Sequence, residues 1–251
     1  MTVIGILECG QTRSDWIARH GEMADPFPPF LRRADPTLRF AVYKAHQHLL
    51  PASADACDAW LVTGSPHSVH APEPWQPALA RFLVQAAQQR PVVGICYGHQ
   101  LLHQALGGVS GPAPQGWGVG VQHYPVRALP AWLPDGPLPP PLRLIALHQD
   151  QVLRPAPGTT VLAGNPFCPL AITTIGENVL TVQPHPEMTR PLARDIYEEA
   201  RADLGDQCAD EAQRSLEGTL DDGLLARWIL AFIAHRRAAA GGSTHAHRTP
   251  P

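Results

Sequence analysis

Lysine is almost missing from this 251-residue chain: Lys44 stands alone, and every other basic residue apart from histidine is arginine. The formal net charge is -3, so there is no broad basic footprint for a polyanion, and nucleic acid is excluded as the main partner. Charged residues are few, 16% against 44% hydrophobic, a balance that favours one large buried core over a solvated, unfolded chain. Apolar runs are short; none approaches the roughly 18 residues of a membrane helix, so no membrane partner is expected. Met1-Thr-Val-Ile-Gly-Ile-Leu7 lacks the basic start and the length of a secretory signal. The five cysteines (Cys9, Cys57, Cys96, Cys168 and Cys208) are odd in number and contain no CxxC pair. That excludes a disulfide framework and a Cys-based zinc site, and it points to a reducing, cytoplasmic setting. Most of these thiols are expected to be inert packing residues.

What is present is an alternation of short apolar runs and helical patterns. Val3 to Leu7, Arg39 to Tyr43, Ala59 to Val62 and Pro91 to Ile95 read as buried strands. Pro74 to Gln89 and Gly98 to Leu106 have helical spacing, the second stopped by Gly107-Gly108. This order predicts an α/β fold: a doubly wound, mainly parallel sheet with helices on both faces. Later runs, Gly118 to Val126, Leu142 to Leu147, Thr160 to Leu162, Leu170 to Thr174 and Val179 to Val182, predict a small antiparallel extension on that sheet. Pro191 to Ala202 and Leu220 to Ala234 read as closing helices, and the proline-rich Leu129 to Pro141 as a surface loop. One domain is expected over residues 1–237, followed by a disordered tail over 238–251.

The segment Pro91-Val-Val-Gly94-Ile-Cys96-Tyr97-Gly98-His-Gln100 places a cysteine between an apolar strand and a helix start, with glycine two residues to either side. A nucleophile on such a sharp turn crowds its i−2 and i+2 neighbours, and both must lack bulk. A helix N-terminus favours the thiolate, and its free N–H groups suit a developing oxyanion. Downstream, Val179 to Val182 leads into Gln183-Pro-His185-Pro-Glu187. His185 there supplies a base, and Glu187 is near enough to hold its second nitrogen. Alone, each piece has a bland reading: a core cysteine ending a strand, a turn histidine, a capping glutamate. Together they form nucleophile, base and orienter.

Gly94-x-Cys96-Tyr-Gly98-His-Gln100 with His185-Pro-Glu187 resembles the class I (triad) glutamine amidotransferases, standalone proteins like the glutaminase domain of GMP synthase above all. The likeness runs from about Ile4 to Leu230 and includes Thr63-Gly-Ser-Pro-His, Gly116-Trp-Gly-Val-Gly120 and His148-Gln-Asp-Gln-Val152. It implies a flavodoxin-like fold and a reaction in which the Cys96 thiolate attacks the glutamine amide, releasing ammonia and then, by hydrolysis of a thioester, glutamate. It implies His185 as general acid and base and Glu187 as its orienter. It also implies the N–H groups of Gly64 and Tyr97 as oxyanion hole, and Gln100, Gln149 and Asp150 as contacts to the glutamine head group. Such chemistry needs no cofactor and no metal. The chain carries no GxxxxGK[ST] loop, so any ammonia-consuming synthesis calls for a separate synthase subunit.

Other candidates rank lower. His99 and His103 have the i, i+4 spacing of metal ligands but no third partner in sequence. Cys9 ends the first strand without flanking glycines, which reads as packing. Three functions follow: a glutamine-hydrolysing amidotransferase first, a γ-glutamyl peptidase using the same three residues second, and a non-catalytic binding module last.

Overall fold

The computed structural model describes residues 1–71 and 73–242. The apolar runs become β1 (Val3–Leu7), β2 (Arg39–Tyr43), β3 (Ala59–Val62), β4 (Val92–Ile95), β9 (Thr159–Ala163), β10 (Ile172–Ile175) and β11 (Val179–Val182). They form one seven-stranded sheet in the order β2-β1-β3-β4-β11-β10-β9. The pairs β1/β2, β1/β3, β3/β4 and β4/β11 are parallel, while β10 and β9 add antiparallel at one edge.

Strand alternation divides the core in two. On one face Ile4, Ile6, Leu61, Val93, Ile95 and Val182 pack against α2 (Phe27–Arg32) and α8 (Asp222–Gly242). On the other, Leu7, Trp60, Val62 and Val92 pack against α3 (Gln76–Ala87) and α4 (Tyr97–Ala105). The sheet is thus covered on both sides, as the order of elements predicts. Among the described residues no helix is long and apolar enough to cross a membrane.

The expected antiparallel extension is divided. Only β9 and β10 extend the main sheet in that sense. Val179–Val182 lies in its middle, parallel to β4, because all four residues are buried and such a strand has no solvent face to offer an edge. β6 (Gly118–Tyr124) and β7 (Leu142–His148) pair only with each other, in a separate two-stranded sheet. Against that ribbon lie α5 (Arg190–Glu199) and α7 (Asp206–Ser215), the latter not anticipated from sequence, with Val119, Ile145, Tyr197 and Leu216 in a third cluster. The Tyr197 hydroxyl tethers α5 to it, accepting from the Gly120 N–H at 3.0 Å and donating to the Ala146 carbonyl at 2.6 Å. A further short pair, β5 (Val109–Pro112) with β8 (Asp150–Arg154), forms a second two-stranded sheet of its own. The expectation of a disordered tail from 238 is corrected in part, since α8 continues through Gly242; residues 243–251 lie outside the described residues.

Beneath α4 a buried polar seam joins helix to sheet. His99 Nδ1 lies 2.8 Å from Thr181 Oγ1, His103 Nε2 3.0 Å from Thr173 Oγ1, and the two threonine hydroxyls 2.7 Å apart. His103 Nδ1 accepts from the Ala156 N–H at 3.2 Å. The rings therefore serve as packing and hydrogen-bonding groups, with three of their four nitrogens directed at hydroxyls and backbone and His99 Nε2 buried without a partner. Burial pushes the His103 imidazole down to about 4. Burial, with His103 and His148 nearby, holds His99 well below its ordinary value.

Both rings are neutral when folded but accept protons on unfolding below their free-solution pKa of roughly 6.5. The unfolded state then binds more protons, so this contribution to stability is complete above that pH. It is lost as pH falls toward the folded value, by on the order of 1.4 kcal/mol per pH unit for each ring. Urea midpoints should therefore fall as pH is lowered from about 7 to about 5, and less steeply in His103→Gln. A midpoint that stayed level would show that the rings are not neutral in the fold.

Candidate active site

A cavity of about 710 Å³ opens at the carboxyl ends of the parallel strands. Gln11 after β1, Gly64 after β3, Cys96 after β4 and His185 after β11 all line it. This is the crevice that open parallel sheets leave for ligands.

Cys96 caps α4 with φ 49° and ψ −101°, a conformation costing a non-glycine residue roughly 1–3 kcal/mol. The turn is held from both sides. The Cys96 N–H donates to the Val182 carbonyl at 2.8 Å, and its own carbonyl accepts from the Gln100 N–H at 3.0 Å. The flanking glycines are required by contact: a Cβ on Gly94 would lie 2.5 Å from the Gly98 carbonyl oxygen, and one on Gly98 2.6 Å from the Val62 oxygen. The sulfur, on a residue only 7% exposed, meets the cavity floor.

His185 is placed by β11, whose parallel pairing with β4 sets the two strand ends side by side. Its N–H donates to the Ile145 carbonyl at 2.8 Å, tying this loop to the β6–β7 ribbon. Nδ1 is 2.7 Å from Glu187 Oε1, which leaves the other ring nitrogen for the Cys96 sulfur. Burial by itself would strip the imidazole of its proton. Cys96 and Glu187 together outweigh it and hold the His185 pKa well above the ordinary value.

The two expected oxyanion donors flank this pair. Tyr97 is the first residue of α4, so its N–H has no acceptor within the helix. Gly64 comes close to both other groups: a Cβ there would stand 2.9 Å from His185 Cε1 and 3.8 Å from Cys96 Cβ. The Gly98 N–H, donating to the Thr63 carbonyl at 3.2 Å, locks the two loops together.

The three expected head-group contacts all line the cavity but differ in what they offer. Gln100 is buried, its amide donating to the Asp150 carbonyl at 2.9 Å and to Gln183 Oε1 at 3.2 Å. Gln183 Nε2 in turn lies 3.7 Å from the Cys96 sulfur. Gln100 is thus engaged in positioning the floor of the site. Gln149 is exposed at the β7–β8 turn, and Asp150 Oδ2 lies 3.0 Å from His70 Nδ1. His148 is buried beside the Phe167 ring; burial and the nearby His185 lower it to about 4, so it is neutral at pH 7. Cys9 is fully buried with its thiol 3.4 Å from the Leu7 carbonyl, a packing residue.

Sequence reasoning missed two features: Gln183, whose only signal is its place two residues before His185, and the outer wall of the cavity. That wall comes from α1 (Ser14–His20), through Trp16 and His20, and from α5, through Leu192 and Ile196. No motif marks either helix.

The raised His185 pKa rests first on the sulfur. In Cys96→Ala, an NMR titration of the His185 ring nitrogens should show a lower pKa than in the unaltered protein, since burial remains and the largest raising influence is gone. An unmoved titration would mean that sulfur and imidazole are not coupled.

Residues 35–197 match the family model described as glutamine amidotransferase class-I. The chain is 27% identical over 178 residues to gamma-glutamyl peptidase 3 of Arabidopsis thaliana, covering 68% of this chain and 72% of that protein. It is 39% identical over 101 residues to the glutamine-hydrolyzing GMP synthase of Aeropyrum pernix, but that covers 39% of this chain and only 19% of the synthase. Among solved structures, a glutamine amido transferase from Methylobacillus flagellatus superimposes with a TM-score of 0.68 at 21% identity, over 95% of this chain and 94% of that one. With the family model matching well over half of its length, the chain belongs to the class-I glutamine amidotransferase family.

Proposed function

We propose that this chain hydrolyses the γ-glutamyl amide bond through a thioester on Cys96. The observation that carries the reading is the side-by-side placement of a cysteine on a strained strand-to-helix turn and an imidazole whose far nitrogen is 2.7 Å from a buried carboxylate. In the first step Sγ bonds to the γ-carbonyl carbon, and the oxyanion is received by the N–H groups of Gly64 and Tyr97. The C–N bond breaks as His185 gives its proton to the departing nitrogen. In the second step His185 takes a proton from water, hydroxide adds to the thioester, and glutamate leaves as Cys96 is freed. Glu187 holds the ring and stabilises its charged form throughout.

The departing nitrogen belongs to ammonia if the substrate is glutamine, or to an amine if it is a γ-glutamyl peptide. The peptidase reading is favoured by likeness extending over most of both chains; the match to GMP synthase covers only a fifth of that protein. A glutaminase could work alone or serve as an amidotransferase subunit; in the second case a separate synthase subunit receives the ammonia, and its addition would raise turnover.

A glutamine-like diazoketone (6-diazo-5-oxo-L-norleucine) should alkylate Cys96 alone, read by peptide mass spectrometry. Cys9, Cys57 and Cys168 are buried, and burial pushes Cys168 to about 12. Cys96→Ala and His185→Ala should each lower glutamate release from glutamine or γ-glutamyl peptides by roughly 10³-fold or more, and Glu187→Gln by less. Labelling at Cys9, or near-native turnover in His185→Ala, would overturn the assignment.

A further inference from the structure

We propose that the outer cavity between α1 and α5 is a leaving-group subsite for an apolar amine, with Trp16 and Ile196 as its specificity-determining walls. This rests on the hydrolytic reading above and specifies its substrate. The side on which the departing nitrogen must lie is fixed by the proton donor. His185 can protonate that nitrogen only if the amine half of the substrate extends past the imidazole. The chain leaving His185 runs through Glu187 and Met188 directly into α5, whose Leu192 and Ile196 line the cavity one helical turn apart. The amine half is therefore directed along that row.

Across from it stands Trp16. Helix α1 has no buried residue, so Trp16 is not a core side chain, yet it borders the cavity. Its ring is flanked by the Arg13 and Arg19 guanidinium groups at 5.0 and 6.0 Å and by the edge-on His20 ring at 5.6 Å. These same residues fasten α1 to α5: Arg13 pairs with Glu199, while Arg19 and His20 each lie 2.7 Å from Asp195. The tryptophan is thus held over the gap by polar contacts to the opposite wall. A cavity border that includes an indole, a leucine and an isoleucine suits an apolar group.

Size agrees. A cavity of about 710 Å³ is in the range that houses ligands much larger than an amino acid, roughly 300–1,000 Å³. Ammonia would leave this outer part empty. A γ-glutamyl amide whose amine carries a large apolar side chain would fill it.

The test compares kcat/KM for γ-glutamylphenylalanine, γ-glutamylglycine and glutamine, in the unaltered protein and in Trp16→Ala and Trp16→Phe. The unaltered protein should favour the phenylalanine peptide over the glycine peptide by roughly tenfold or more, the usual scale for filling an apolar pocket. That ratio should collapse toward one in Trp16→Ala and be largely restored in Trp16→Phe. An equal rate on both peptides, a ratio unchanged in Trp16→Ala, or turnover of glutamine alone would each overturn the subsite while leaving Cys96 chemistry intact. Failure to hydrolyse any of the three compounds would instead overturn the hydrolytic reading on which it rests.

Discussion

Everything at this site depends on how closely the β4–α4 turn can approach its surroundings. Gly94 meets the Gly98 carbonyl and Gly98 meets Val62 with no room for a methyl group at either place. Only that contact lets α4 start directly above the strand end and lets Cys96 hold a positive φ with its sulfur outward. The strain is offset by hydrogen bonds on both sides of the residue, one of them donated to the Val182 carbonyl of the neighbouring strand. The same strand delivers His185 three residues later. Strain, strand pairing and the proposed base are thus mechanically one unit, and a shift in the β4–β11 register would misplace all of them.

The local part of this arrangement was legible in the sequence, and the reason is physical. Gly94 answers to the Gly98 carbonyl, a steric demand made within five residues of chain, and His185-Pro-Glu187 reports a contact across two; the demand on Gly98 comes from Val62 of β3. Strand pairing is another matter. Nothing in Val179-Leu-Thr-Val182 says that it enters the middle of the sheet beside β4, except that all its residues can be buried; a strand at an edge could read the same way. The pairing of β6 with β7, or the formation of α7, depends on partners tens of residues away. Gln100 illustrates the limit well. Its place in the motif suggests a hand for the substrate; what no local pattern foretells is that its amide nitrogen is engaged with the Asp150 carbonyl and Gln183 Oε1.

The histidines around the sheet show how environment alone assigns a role. His99, His103, His148 and His185 are all buried within a short reach of one another. Burial drives the first three toward the neutral ring, in which form they act as hydrogen-bonding or packing groups. His185 feels the same desolvation, but the Cys96 sulfur and the Glu187 carboxylate reverse its sign. A ring that favours its charged form beside a sulfur is suited to share a proton with it; a ring that stays neutral is not. The separation of pKa directions among identical side chains thus follows from the two neighbours, Cys96 and Glu187, that only His185 has.

The two halves of the cavity are built on different physics, and that division has a consequence for how the protein could change its substrate. The inner half is made of strand ends and a helix start, where backbone packing permits almost no substitution. The outer half is made of α1, which buries nothing, and of the half-buried Leu192 and Ile196 of α5, the two helices being joined by ion pairs that individually contribute little, about 0–1 kcal/mol when solvent-exposed. Substitution at Trp16 leaves the β4 turn and the His185 loop where they are, because neither depends on α1 for its position. In the proposed reaction, the chemical step is set by the rigid sheet edge. The choice of departing amine is set where α5 faces α1, a helix that the core does not need in any one form.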